Sequence, residues 1–106
     1  MFTKKDVSNY KTPLEGVHFK TLVHGGNTSM HEFHLDKGYK IPNHKHPHEQ
    51  TGYLVSGKLK FNVEGEIFDA GPGDSWNLAG NVEHGVDVLE DSVVIEVFSP
   101  VREDYL

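Results

Sequence analysis

A chain of 106 residues with a net charge of −6 and no cysteine is a single domain, residues 1–106, without disulfides, thiolate metal sites or a cysteine nucleophile. Apolar residues make up 36% and charged residues 25%, enough for one hydrophobic core without staples. The Lys and Arg residues are scattered rather than gathered into a basic stripe, so no nucleic-acid partner is expected, and no apolar run approaches the roughly 20 residues of a membrane span.

The opening segment "MFTKKDVSNYKTPLEG" lacks the apolar stretch of a signal peptide, which makes a cytoplasmic location the expectation. At most one helical turn is expected in it, near Lys4 to Asn9. "GVHFKTLVHGG" reads as a strand at a sheet edge, closed by the Gly25-Gly26-Asn27 turn. After Lys37-Gly38 comes "PNHKHPHEQTGYLVSG", Pro42 to Gly57, with three histidines in five residues. "KLKFNVEG" alternates apolar Leu59, Phe61 and Val63 with polar residues and reads as a second edge. "GEIFDAG", "DSWNLAG", "HGVDVLED" and "SVVIEVF" follow, each short, rich in β-branched or aromatic residues and bounded by turn signals. Many short strands without a 3.6-residue apolar stripe predict an all-β sandwich or barrel.

The histidine tract carries the first chemistry. Residues two apart share a strand face, so His44 and His46 point the same way, and Gln50 keeps that parity. Neutral imidazole is the commonest metal-binding side chain. His84, in "NVEHGV", offers a third ring from a later strand. Three imidazoles and one oxygen donor leave coordination positions for water or substrate, the pattern of a catalytic rather than a closed structural site. His48 has the same parity, but Pro47 disturbs the strand before it. His18, His24, His31 and His34 lack comparable spacing and read as surface or satisfied structural histidines.

The spacing resembles that of the cupins. Their first motif is matched by Gly38, five residues, His44-Lys45-His46, three residues, Gln50, six residues and Gly57. Their second is matched by Gly65, Pro72, Gly73 and His84, with one residue more than usual between Gly65 and Pro72. The resemblance implies a double-stranded β-helix, or jelly-roll, barrel and one divalent transition metal on His44, His46, Gln50 and His84. Zinc, nickel, iron and manganese all suit imidazole and amide donors. Where cupins usually carry glutamate, this chain has Gln50, so the four donors cancel none of the ion's charge. That favours Lewis-acid work or anion binding over stabilising an oxidised iron.

The tail "EVFSPVREDYL" adds a closer likeness, to the small single-domain cupins of the pectin-degradation, or KdgF-like, type. Phe98, Pro100, Arg102, Glu103 and Asp104 match that tail. The resemblance implies linearisation of 4,5-unsaturated uronates, with an acid two residues before the phenylalanine. That position is usually aspartate and here is Glu96. Read from the residues alone, Val94, Glu96 and Phe98 share one strand face and Val93, Ile95 and Val97 the other. The all-apolar face is expected to fill the core and the mixed face to line a ligand cavity. Arg102 suits a bidentate grip on a carboxylate; the alternative is a solvated tail in which it pairs with Glu103 or Asp104.

Together these expectations describe a metal-dependent cupin acting on a small acidic sugar or keto acid. Glu96 serves as general acid/base, Arg102 as carboxylate binder and Phe98 as an apolar wall. The alternatives are a non-catalytic sugar-sensing cupin, a dioxygenase on the same scaffold and an interaction protein with a vestigial site. Exposed sheet edges need cover, and a homodimer is expected.

Overall fold

The computed structural model covers residues 1–106. Eight strands account for most of the chain: β1 (Lys11–Leu14), β2 (Val17–His24), β3 (Ser29–Leu35), β4 (Lys40–His44), β5 (Glu49–Val63), β6 (Glu66–Ala70), β7 (Ser75–Leu78) and β8 (His84–Ser99). One turn of 3₁₀ helix follows at Glu103–Tyr105. Every pairing is antiparallel, in the order β1-β2-β3-β8-β5-β6, with β4 on β8 and β7 on β5. This is the expected all-β barrel. No helix is long and apolar enough to cross a membrane.

The allowance for a helical turn goes unused, and the two edge expectations are corrected, one of them only in part. Residues 1–10 form no helical turn. Asp6 Oδ1 accepts from the Ser8 amide at 2.9 Å, a side-chain bond that competes with helix formation, and Lys20 Nζ holds the carbonyls of Asp6 and Ser8. "KLKFNVEG" is not an edge, because the second half of β5 lies between β6 and β8. "GVHFKTLVHGG" is internal only at its start, where β1 pairs with Val17 and Phe19; beyond that β2 has β3 alone as a partner and is the expected edge.

The two long strands make the barrel. The first half of β5 pairs with the end of β8, and its second half pairs with the start of β8. Between Leu54 and Leu59 the register shifts and the inward parity changes from even to odd residue numbers. Gly57 sits in that bend at φ +103°, and a Cβ there would lie 2.1 Å from Ser92 Oγ. Only glycine satisfies both the backbone angle and the approach of β8.

The core runs through the inside of the curl: Phe19 on β2, Phe33 and Leu35 on β3, Leu54, Leu59 and Phe61 on β5, and Val86, Val88, Val94 and Phe98 on β8. Of the two expectations for the β8 faces, the mixed face does line a cavity, but it is also the face that joins the core, and the all-apolar face does not fill it. Val94, Glu96 and Phe98 are buried, while Val93, Ile95 and Val97 are only half-buried on the outer side. Register decides this, because directly paired residues share a face. Val94 pairs with Phe33 and Leu54, so the large apolar side chains of β3 and β5 pull Val94, and with it Glu96 and Phe98, inward.

The other histidines divide as structural and surface groups. His24 is exposed, His18 bonds Asp36 and Thr12, and His34 bonds Glu32. His31 is fully buried, its ring 5.4 Å from that of Phe98 and 5.3 Å from that of Tyr105. Burial, then the Arg102 guanidinium, pushes its pKa down to about 4; Asp104 opposes this shift and His24 adds to it. The folded-state value lies below the ordinary 6.5, so protons favour the unfolded chain. The stability contributed by neutral His31 is full above about pH 6.5 and is lost as the pH falls through about 4. At 1.36 kcal/mol per unit this amounts to about 3 kcal/mol. Denaturant unfolding of wild type and His31→Gln should therefore give a stability difference that narrows by about this amount between pH 7 and pH 4. A pH-independent difference would refute the assignment.

Candidate metal centre and cavity

β4 ends at His44, which pairs across the sheet with His84, the first residue of β8. The connection to β5 turns back and places His46 over the same point. Their ligand nitrogens lie within 4.8 Å of one another, with ring centroids 4.5 Å apart for His44–His84 and 5.1 Å for His46–His84. The His44–His46 convergence expected from strand parity is therefore present, although His46 lies beyond the strand end and reaches the site from the loop.

Each of the three rings is held by a backbone carbonyl. His44 Nδ1 bonds Pro42 O at 2.9 Å, His46 Nδ1 bonds His48 O at 3.0 Å, and His84 Nδ1 bonds Val82 O at 2.9 Å. A carbonyl only accepts, so each Nδ1 carries the proton and each Nε2 keeps its lone pair. Gln50 Oε1 then faces His46 Nε2 at 3.1 Å, acceptor against acceptor. Two lone pairs at that distance repel unless a cation lies between them, and 3.1 Å is close to the spacing of two donors each about 2.1 Å from one ion. The donor set of His44, His46, His84 and Gln50 thus fits a divalent transition metal. His48 supplies its carbonyl to this arrangement and not its ring, whose Nδ1 is buried without a partner.

The electrostatics favour the neutral form of His46 and His84. Burial, followed by the Arg102 charge, pushes His46 down to about 4. Burial likewise lowers His84, against the bond to Val82 O.

His44, His46, Gln50, His84, Glu96, Phe98 and Arg102 all line one cavity of about 170 Å³, closed at the other end by apolar residues including Phe33, Leu35, Leu59 and Phe61. Glu96 is buried at 6% exposure. Its Oε1 accepts from Trp76 Nε1 at 3.1 Å, and its Oε2 has no hydrogen-bond partner. Burial pushes its pKa up to about 7, with Gln50 and Trp76 opposing the rise. Arg102 is only 8% exposed, although Glu103 and Asp104 beside it are exposed. Its guanidinium lies 3.9 Å from the Tyr105 ring centroid and 4.8 Å from that of Phe98. Nε bonds Asp104 Oδ1 at 3.0 Å and Nη2 bonds Asp104 Oδ2 at 2.8 Å. Both readings of the arginine therefore apply: it pairs with Asp104 and also lines the cavity. That pairing leaves both Nη1 protons and one Nη2 proton for a ligand.

Sequence reasoning missed Trp76, Tyr105 and Ser29. A signal for Trp76 lies in Gly52, a strand-interior glycine that pairs with both Trp76 and Glu96. A Cβ at Gly52 would fall 2.1 Å from Trp76 Nε1 and 2.5 Å from Glu96 Oε2. The two side chains meet over the space that the glycine leaves.

Comparison with known proteins agrees with this architecture. A family model described as the cupin domain matches residues 31–99. The chain is 35% identical over 102 residues to the pectin degradation protein KdgF of Dickeya dadantii, covering 91% of this chain and 93% of that one. It is 31% identical over 103 residues to an L-ectoine synthase of Mycobacteroides abscessus, covering 92% of this chain and 75% of that protein. The solved structure of KdgF from Halomonas sp. superposes with a TM-score of 0.93 at 32% identity, covering the whole of both chains. With the fold, the three-histidine cluster and these likenesses in agreement, the chain belongs to the cupin family, as a small single-domain member resembling KdgF.

Proposed function

We propose that this protein is a metal-dependent enzyme that linearises or tautomerises a small unsaturated uronate or a related keto acid. The observation that carries this reading is the meeting, in one small cavity, of a three-histidine cluster, a buried carboxylate with one oxygen unpartnered, and a buried arginine. Similarity to two KdgF proteins supports the substrate class.

His44, His46, Gln50 and His84 would hold one divalent ion, which when bound would supply a Lewis-acid centre with open positions for substrate oxygens. Arg102 binds the substrate carboxylate through the Nη edge left free by Asp104, with the charge held in place by the faces of Phe98 and Tyr105. Phe98 forms the wall against which the sugar carbons lie. Glu96 gives and takes the proton that ring opening and tautomerisation require. Trp76 fixes its Oε1, which leaves Oε2 for the proton transfer. The apolar end of the cavity excludes water from the reacting atoms.

The metal assignment is tested on protein prepared without a histidine tag. His46→Ala and His84→Ala should each lose the bound metal equivalent by elemental analysis while keeping the β-sheet circular dichroism spectrum. The fold survives because none of the apolar core belongs to the donor set. Retention of a full equivalent by both variants would overturn the assignment.

Steady-state kinetics on unsaturated uronates should separate the two remaining roles. Glu96→Gln keeps the size and removes the transferable proton, so kcat should fall by roughly 10²–10⁴-fold with metal content unchanged. Arg102→Lys keeps the charge and loses the planar fork, so its larger effect should be on KM. Equal and small effects would reduce the protein to a metal-bearing binding domain.

The half-buried outer face of Val93, Ile95 and Val97, flanked by exposed Met30 and Tyr53, supports a homodimer formed through that sheet face. Light scattering at micromolar concentration should give twice the 11.9 kDa chain mass, and a monomer would rule the dimer out.

A further inference from the structure

Arg102 lies beyond the last strand, so something must fix its turn to the barrel. Within the turn, Asp104 and Tyr105 hold the guanidinium. Asp104 belongs to the same short segment, and the sheets meet the turn through apolar faces, Phe98 under the guanidinium and Phe19, Phe33 and Phe98 around the Tyr105 ring, which hold it close without the directionality of a hydrogen bond.

Two hydroxyls on neighbouring strands, that of Ser29 buried and that of Thr21 half-buried, supply polar attachments to the barrel. The Arg102 amide donates to Ser29 Oγ at 3.1 Å, and Thr21 Oγ1 donates to Tyr105 O at 3.3 Å. The His31 ring bridges the two, with Nε2 2.8 Å from Ser29 Oγ and Nδ1 3.0 Å from Thr21 Oγ1. Ser29 is 1% exposed and His31 is fully buried, so water cannot substitute for a missing partner. The only further polar attachment is a pair of long, exposed contacts from Lys11 Nζ to the Tyr105 and Leu106 carbonyls, each 3.4 Å.

The two chain ends fix every proton in this network. A carbonyl only accepts, so the Thr21 hydroxyl proton goes to Tyr105 O, and Thr21 Oγ1 accepts from His31 Nδ1–H. Nε2 then carries a lone pair and accepts from the Ser29 hydroxyl, whose oxygen accepts the Arg102 N–H. The relay starts at one backbone group of the turn and ends at another, with every donor and acceptor used. It requires a neutral ring of one tautomer. Protonation would make Nε2 a donor and take away the acceptor of the Ser29 hydroxyl.

We propose that His31, with Ser29 and Thr21, is a positioning unit: it pins the Arg102–Tyr105 turn to β2 and β3 and so sets where the Arg102 guanidinium stands in the cavity. The functional half of this statement rests on Arg102 as the carboxylate binder. The mechanical half does not, and the two are read separately.

The test uses the full-length, metal-loaded protein and the variants Ser29→Ala, Thr21→Val and Thr21→Ser. The first readout is site-resolved amide hydrogen exchange. In Ser29→Ala the Arg102 amide should exchange at least about fivefold faster, the worth of one net hydrogen bond of about 1 kcal/mol, while the amides of β5 and β8 keep their protection. The second readout is kinetics on an unsaturated uronate. Ser29→Ala and Thr21→Val should raise KM by about fivefold or more with kcat and metal content little changed, and Thr21→Ser, which restores the hydroxyl, should return KM to the wild-type value. Faster exchange at Arg102 in a protein that turns over no uronate would uphold the pin and sink the enzymatic reading. Unchanged exchange at Arg102, or loss of protection spread evenly over the barrel with KM unaltered, would overturn the proposal and leave His31 as core packing.

Discussion

The pairing of β5 with β8 is the constraint on which the rest depends. Gln50 pairs with Phe98 at one end of the ladder, and Val63 pairs with His84 at the other. Along a straight strand the fourteen residues between positions 84 and 98 would separate those ends by roughly 45 Å. Yet Gln50 touches His46, and the ligand nitrogen of His46 lies within 4.8 Å of that of His84. Only a curl that brings the two ends of one hydrogen-bonded pair together reconciles these facts. The bend at Gly57, where the parity of β5 changes, makes the curl. The metal-binding cluster is thus a product of barrel closure and not of any local segment.

That dependence explains how much could be read from the chain alone. The Gly38 to Gly57 spacing places two histidines and Gln50 within a single turn-back, and motif spacing extended the donor set to His84. The all-β class followed from the punctuation by glycine and proline. The core face of β8 was misread because the alternation in "SVVIEVF" is symmetrical. What chose between the two faces was Phe33 and Leu54 on two other strands. The supposed edge at "KLKFNVEG" failed for the same reason, since an edge is defined by partners distant in sequence. His31 was more legible than it seemed. Ser29, His31, Phe33 and Leu35 alternate strictly, and the last two announce which way the first two point.

Charge is distributed in an orderly way around the cavity. Burial disfavours charge on His46 and His84, Gln50 is an uncharged amide, and the carbonyls that fix the histidines are backbone groups that cannot titrate. Glu96 shares the cavity, accepts from Trp76, and lies near enough to Gln50 for that side chain to oppose the rise in its pKa. The guanidinium of Arg102 is neutralised from outside by Asp104. What the cavity offers an incoming anion is therefore the set of Arg102 protons that Asp104 leaves free, while each ionic group remains paired or bonded within the barrel wall.

Gly52 carries a consequence for how this chain can change over generations. Two side chains from opposite neighbours share the volume of one absent methyl group, so positions 52, 76 and 96 form a single unit of variation. A longer residue at 52 would displace the acid and the indole together. A shorter acid at 96 would surrender the indole contact and open room that a different residue at 52 could then occupy. A change at any one of the three sites therefore alters the room available to the other two, and its cost depends on which residues stand there.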